Sequence, residues 1–160
     1  MKKKAGAYGM AITGSKAAAQ LIGKVIKWLG YVTPLFDLAL RLWVANVFWK
    51  SGLTKIKSWD STLMLFDYEY SVPLLPTNVA AFLATGAELL FPLLLLVGLA
   101  SRFSALSLFI LNYVAVISYP DISDAGIKDH LLWGTMLAVI FFHGPGRLSA
   151  DDFLRRKFLA

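Results

Sequence analysis

An all-α, integral membrane four-helix bundle is the fold class that the sequence predicts. An N-terminal amphipathic interfacial helix and a short C-terminal interfacial helix flank it. Three observations carry the prediction. The 160 residues are 58% hydrophobic and only 16% charged, against roughly 45–50% apolar and about 25% charged in soluble domains. A soluble fold of this size buries too little surface to hide so many apolar side chains. Long apolar runs alternate with short polar junctions, at spacings suited to bilayer-crossing helices.

The first 32 residues form a basic segment. Met1-Lys2-Lys3-Lys4 resembles the start of a signal peptide, but Ala5 to Lys16 is Gly/Ala-rich and lacks an apolar h-region, so retention of this segment is expected. Over residues 16–30, Lys16, Gln20, Lys24 and Lys27 recur at helical spacing opposite Ala18, Leu21, Ile22, Val25 and Leu29. Such a helix is too short and too charged to span, and lies in the headgroup plane. The bundle itself is expected over residues 33–145, with spans at about 33–55, 78–99, 103–119 and 129–143. Pro34 fits a first helical turn, and Pro92 predicts a kink in the second span. The last two spans sit at the short end of the roughly 17–25 residues that a crossing needs. The acidic 56–77 connection carries Trp59, Leu63, Phe66 and Tyr70, suited to a partly buried cap. Residues 146–160 form a tail in which Ser149 reads as a helix N-cap and Asp152 as its capping-box partner.

Orientation follows from basic residues. Lys2, Lys3, Lys4, Lys16, Lys24 and Lys27 precede the first span, Arg102 lies in the second turn, and Arg147, Arg155, Arg156 and Lys157 are in the tail. Only Lys55, Lys57 and Lys128 mark the other side, so both termini are expected in the cytoplasm. The net charge of +6 is thereby explained by the lipid bilayer as partner, and nucleic acid is not expected. The absence of cysteine excludes thiolate nucleophiles, persulfides, and Cys-ligated zinc or iron–sulfur clusters in this chain.

Polar residues inside the spans are costly and normally face the interior. Asp37 and Arg41 form an i,i+4 pair in the first span, Glu88 sits mid-way in the second, and Asn112 lies in the third. Depth counting brings Asp37, Arg41, Glu88 and Asn112 to a polar midplane, either as structural glue or as a pocket for a ligand, a quinone head group or a proton. Asn46 and Lys50 point the other way, toward lipid or a dimer partner. On the outer face, Glu69, Asp121, Asp124, Asp129 and His130 are candidates for an acidic/imidazole cluster, without a metal site being assigned. His130 and His143 lie thirteen residues apart on one helix, roughly 20 Å at 1.5 Å per residue, so one ion cannot take both. Phosphate-binding loops, nucleophile elbows and metalloprotease helices are missing from the sequence.

Several stretches together resemble the DoxX family of small bacterial membrane proteins. They are Arg41-Leu42 through Gly52-Leu53-Thr54-Lys55, the Pro73/Pro76 stretch, Glu88, and the junction Leu96-Val97-Gly98-Leu99-Ala100-Ser101-Arg102. Asp129-His130-Leu131-Leu132-Trp133-Gly134 and Gly144-Pro145-Gly146-Arg147-Leu148-Ser149-Ala150-Asp151 resemble the proteobacterial branch. The resemblance implies a bacterial inner-membrane bundle, with Arg41, Lys55 and Glu88 as matching polar positions. It also implies subunits of quinone-linked oxidoreductases or redox-stress complexes among relatives. Three roles stay open: a non-catalytic membrane subunit or accessory protein, alone or as a homo-oligomer; a quinone-interacting oxidoreductase subunit; and a small transporter component.

Overall fold

The computed structural model describes the backbone of residues 3–158 and the side chains of residues 19–158. The described residues are helical and contain no strand. Six helices follow in order: α1 (Lys3–Lys57), α2 (Trp59–Tyr68), α3 (Thr77–Val97), α4 (Ser101–Ser118), α5 (Asp124–His143) and α6 (Ala150–Phe158). The chain divides after Pro34 into two units. Pro34 has no N–H to donate to the carbonyl four residues back, which weakens the helical ladder at that point.

In the first unit, the side chains from Ala19 to Thr33 are exposed. The amphipathic stretch expected over 16–30 falls within α1, although the Lys16 side chain lies outside the described residues.

In the second unit, the later part of α1 joins α3, α4 and α5 around one core. Val44, Ala45 and Phe48 of α1 meet Leu95 of α3, Ala105 and Leu108 of α4, and Leu137 and Ile140 of α5. The opposite faces of these helices carry exposed Trp43, Phe82, Leu90, Phe103, Ile110 and Leu131. A surface this apolar belongs in lipid. Helices α3, α4 and α5 are each long and apolar enough to cross a membrane. The two later spans start earlier than their apolar runs suggest. Helix α5 begins at Asp124 because the Ser123 hydroxyl accepts from Gly126 N at 3.1 Å, an N-cap that satisfies an otherwise orphaned donor. This relieves the shortness expected for that span.

Helix α2 lies against the start of α3, with Phe66 buried on Ala80 and Ala81. Thr62 ties it to α1, its hydroxyl donating to the Lys55 carbonyl at 2.8 Å. Of the aromatic residues expected in this cap, Phe66 is buried, Tyr70 half-buried and Trp59 exposed. Phe66, Tyr70 and Tyr119 form a stack, with centroids 4.9 and 5.3 Å apart. Burial, followed by the nearby Glu88 carboxylate, pushes the Tyr70 phenol above its ordinary pKa.

Candidate functional site

The polar residues of the bundle gather at its two ends rather than at one midplane. Arg41 is the first correction. It is 1% exposed, and its guanidinium donates through Nη2 to the Leu148 carbonyl at 2.6 Å. Asp151 and Asp37 supply the opposing charge. The same guanidinium packs on Gly98, the αL residue (φ 76°) that ends α3. Arg41 is therefore level with the C-terminus of α3, whereas Glu88 lies ten residues up that helix, roughly 15 Å away. Depth counting failed because it took the first span to begin at residue 33. The Leu148 carbonyl, with the charges of Asp151 and Asp37, holds Arg41 at this end.

That turn is a clamp. A Cβ on Gly146 (φ 78°) would fall 2.6 Å from Asp37 Cβ, so only glycine admits the close approach. Ser149 caps α6 as expected, accepting from Asp152 N at 3.2 Å. The Asp152 carboxylate does not complete a capping box; it pairs with Arg155 at 2.7 Å and Arg156 at 2.6 Å. The hydrogen bond from Arg155, reinforced by Arg156, holds its carboxyl below the usual carboxylate range. Asp151, which sequence reasoning passed over, caps α4 from a distance. Its two oxygens accept from Ala100 N and Ser101 N, both at 2.8 Å, and its own N–H donates to the Gly98 carbonyl at 2.8 Å. Ala100, at φ 47°, is held in the left-handed region by this contact. Asp151→Ala leaves the first N–H groups of α4 without an acceptor and is expected to cost about 0.5–2 kcal/mol. A lowered thermal unfolding midpoint in mild detergent checks it.

At the α2 end, Glu88 finds Lys55 instead of Arg41. Lys55 Nζ lies 2.6 Å from Glu88 Oε2 and 2.8 Å from Oε1, and it also donates to Ser51 Oγ at 2.9 Å. Ser51 in turn donates to Glu88 Oε1 at 3.1 Å. The two helices approach this closely because of Gly52, where a Cβ would meet Leu89 Cδ2 at 2.9 Å. The signal was present: Lys55 follows Ser51 by one turn and Arg41 by nearly four, so all three share a face of α1.

Asn112 pairs with neither Arg41 nor Glu88. Its Nδ2 donates to the His130 carbonyl at 2.9 Å, and its Oδ1 lies 2.8 Å from His130 Nδ1. This corrects the outer-face cluster as well: His130 turns toward α4, with its ring edge-on to Trp133 at 4.9 Å. Asp124 and Asp129 are exposed, while Glu69 faces the Tyr119 hydroxyl and raises its pKa. Among the described residues, no three His, Asp or Glu side chains gather closely enough to hold a metal ion. Asn46 and Lys50 are exposed on the far side of α1.

The Lys55–Glu88 and Asn112–His130 pairs line one cavity of about 720 Å³. Phe48, Phe66, Leu83, Phe91, Leu111 and Trp133 contribute apolar wall, and Tyr70 and Ser118 add hydroxyls. Its size falls within the roughly 300–1,000 Å³ of small-molecule sites, and its apolar lining with a few convergent polar groups is their usual character.

The DoxX family model matches residues 36–120, more than half of the chain, and includes Arg41, Ser51, Lys55, Glu88 and Asn112. An uncharacterized protein of Haemophilus influenzae is 34% identical over 141 residues, covering 84% of this chain and 93% of the relative. No solved structure matches. The apolar helical bundle and both comparisons agree: the chain belongs to the DoxX family.

Proposed function

We propose that this DoxX-family membrane protein holds a lipophilic small molecule with a polar head, of the quinone class, in the cavity between α1, α3, α4 and α5. It serves there as a membrane subunit or accessory protein of a redox or stress-response system. The observation that carries this reading is the convergence of two polar pairs, Lys55–Glu88 and Asn112–His130, on one mainly apolar cavity. Polar glue alone would leave no space between the helices it joins. A cavity lined this way accommodates an apolar body and orients a polar head.

The test is extraction of the protein, purified in mild detergent, followed by mass spectrometry for co-purifying quinone. The expected result is bound quinone in the native chain and none in Ala115→Trp, which takes up cavity volume while leaving all four residues of the polar pairs unsubstituted. Absence of any such molecule from the native protein favours the purely anchoring role. The exposed Asn46 and Lys50 on the lipid-facing side of α1 support that second reading, because polar groups at this depth suit a neighbouring helix of a partner or a second copy.

The basic residues further support a four-span arrangement in the bacterial inner membrane with both termini cytoplasmic. The later part of α1 supplies the fourth crossing, its charges Arg41 and Lys55 being turned into the bundle. The chain has no cysteine, so Asp60→Cys supplies a single label site in the α2 region. It is expected to react with an impermeant maleimide in intact spheroplasts. Labelling only after lysis reverses the orientation.

A further inference from the structure

His130 forms part of the cavity wall, and the protonation of its ring follows from the groups around it. Asn112 Nδ2 faces the His130 carbonyl at 2.9 Å. A carbonyl only accepts, so the amide group facing it is the NH2 and the group facing the ring is the oxygen. That oxygen, 2.8 Å from Nδ1, also only accepts. The proton of the neutral imidazole is therefore on Nδ1, and Nε2 keeps its lone pair. Nε2 has no hydrogen-bond partner among the described residues. One N–H of the Asn112 amino group is committed to the His130 carbonyl, and the group packs toward α5, where a Cβ on Gly134 would lie 3.3 Å from Nδ2.

The second polar station has the same polarity. The three hydrogens of Lys55 Nζ are committed to Ser51 Oγ, Glu88 Oε1 and Glu88 Oε2, and the Ser51 hydroxyl is committed to Glu88. The carboxylate oxygens retain lone pairs. The Tyr70 and Ser118 hydroxyls adapt to either role. Of the groups of fixed polarity on the wall, His130 Nε2 and the Glu88 carboxylate accept and the Trp133 indole N–H donates, so a hydroxyl, which does both, satisfies more of them than a carbonyl.

Resting on the lipophilic-ligand reading above, we propose that the cavity selects a head group bearing hydroxyl donors, a phenol or hydroquinone, over the corresponding quinone, with His130 Nε2 accepting from a hydroxyl. Asn112 is the positioning residue that fixes the tautomer. A quinone carbonyl presents lone pair to lone pair at Nε2 and leaves it unsatisfied. Tighter binding of the reduced form also raises the potential of the bound two-electron couple, by about 30 mV for a tenfold preference.

Three probes test this on the full chain in mild detergent under anaerobic conditions: decylhydroquinone, its dimethyl ether and decylquinone. Equilibrium dialysis is expected to give about tenfold or greater preference for the hydroquinone over both others. His130→Phe is expected to equalise the three, and Asn112→Leu to reduce the preference. The chain has two histidines, so 15N spectra of histidine-labelled protein, assigned with His143→Gln, report His130 without disturbing the site. Protonated Nδ1 is expected, and a neutral ring protonated on Nε2 overturns the proposal. Equal affinity for all three probes in the native chain overturns the hydroxyl selectivity while leaving the cavity reading intact. Failure of every probe to bind overturns both.

Discussion

Glu88→Leu should destabilise the bundle by about 3–5 kcal/mol, the range for a buried ion pair that loses one partner. Lys55 and Glu88 have side chains only 13% and 10% exposed, and the lysine has no other carboxylate within salt-bridge reach among the described residues. Removing the acid therefore strands a cation between α1 and α3. The companion variant decides the cause. Lys55→Met in the same chain removes the stranded charge, and replacement of a whole buried pair by apolar groups is often near neutral. The double variant should recover most of the lost stability. Thermal unfolding in mild detergent, followed by loss of the monodisperse species, measures all three chains. A double variant as unstable as Glu88→Leu would show that the cost comes from repacking around Leu89 and Gly52 rather than from charge.

The second large effect is expected at Gly98. Its φ of 76° is the left-handed region, where a Cβ costs roughly 1–2 kcal/mol. The Cβ of Gly98→Val would also fall on the Arg41 guanidinium and 2.9 Å from Ser149 Cα. Overpacking of this kind adds about 1–3 kcal/mol. The turn closed by Leu99 N donating to the Leu94 carbonyl at 2.9 Å then has to open, and α6 loses its seat. Unfolding in detergent and proteolytic cleavage between residues 144 and 158 should both report the change. Because Arg41 is one of the atoms met, Arg41→Ala should offset part of the Gly98→Val cost, giving a coupling of the size seen between contacting residues.

The helices were legible because their signals are local. Apolar runs and Ser149 as a cap are read within a few positions of the structure they set. The polar partners were legible only as a set of residues that must face inward. Which of them meet depends on depth, and depth depends on where each helix starts. Placing the first span at residue 33 raised Arg41 to the midplane, where Glu88 seemed to need it. Lys55 was instead read as a charge marking the outer end of that span, though it sits on the same face of α1. The Asn112–His130 pair and the Asp151 cap were not legible at all. The first joins α4 to α5 through a backbone carbonyl, and the second joins residues 51 apart through backbone N–H groups. Neither leaves a spacing or composition signal.

The contact between Asp151 and the start of α4 has a consequence for biogenesis. The ribosome makes Ala100 and Ser101 well before it makes their acceptor, 51 and 50 residues later. At roughly 5–20 residues per second, the interval is about 3–10 s. Throughout it, the α3–α4 hairpin can enter the bilayer with its local turn closed but the first amides of α4 uncapped, those amides being served by water and phosphate headgroups at the surface. Integration of the hairpin and capping of α4 are thus separate events.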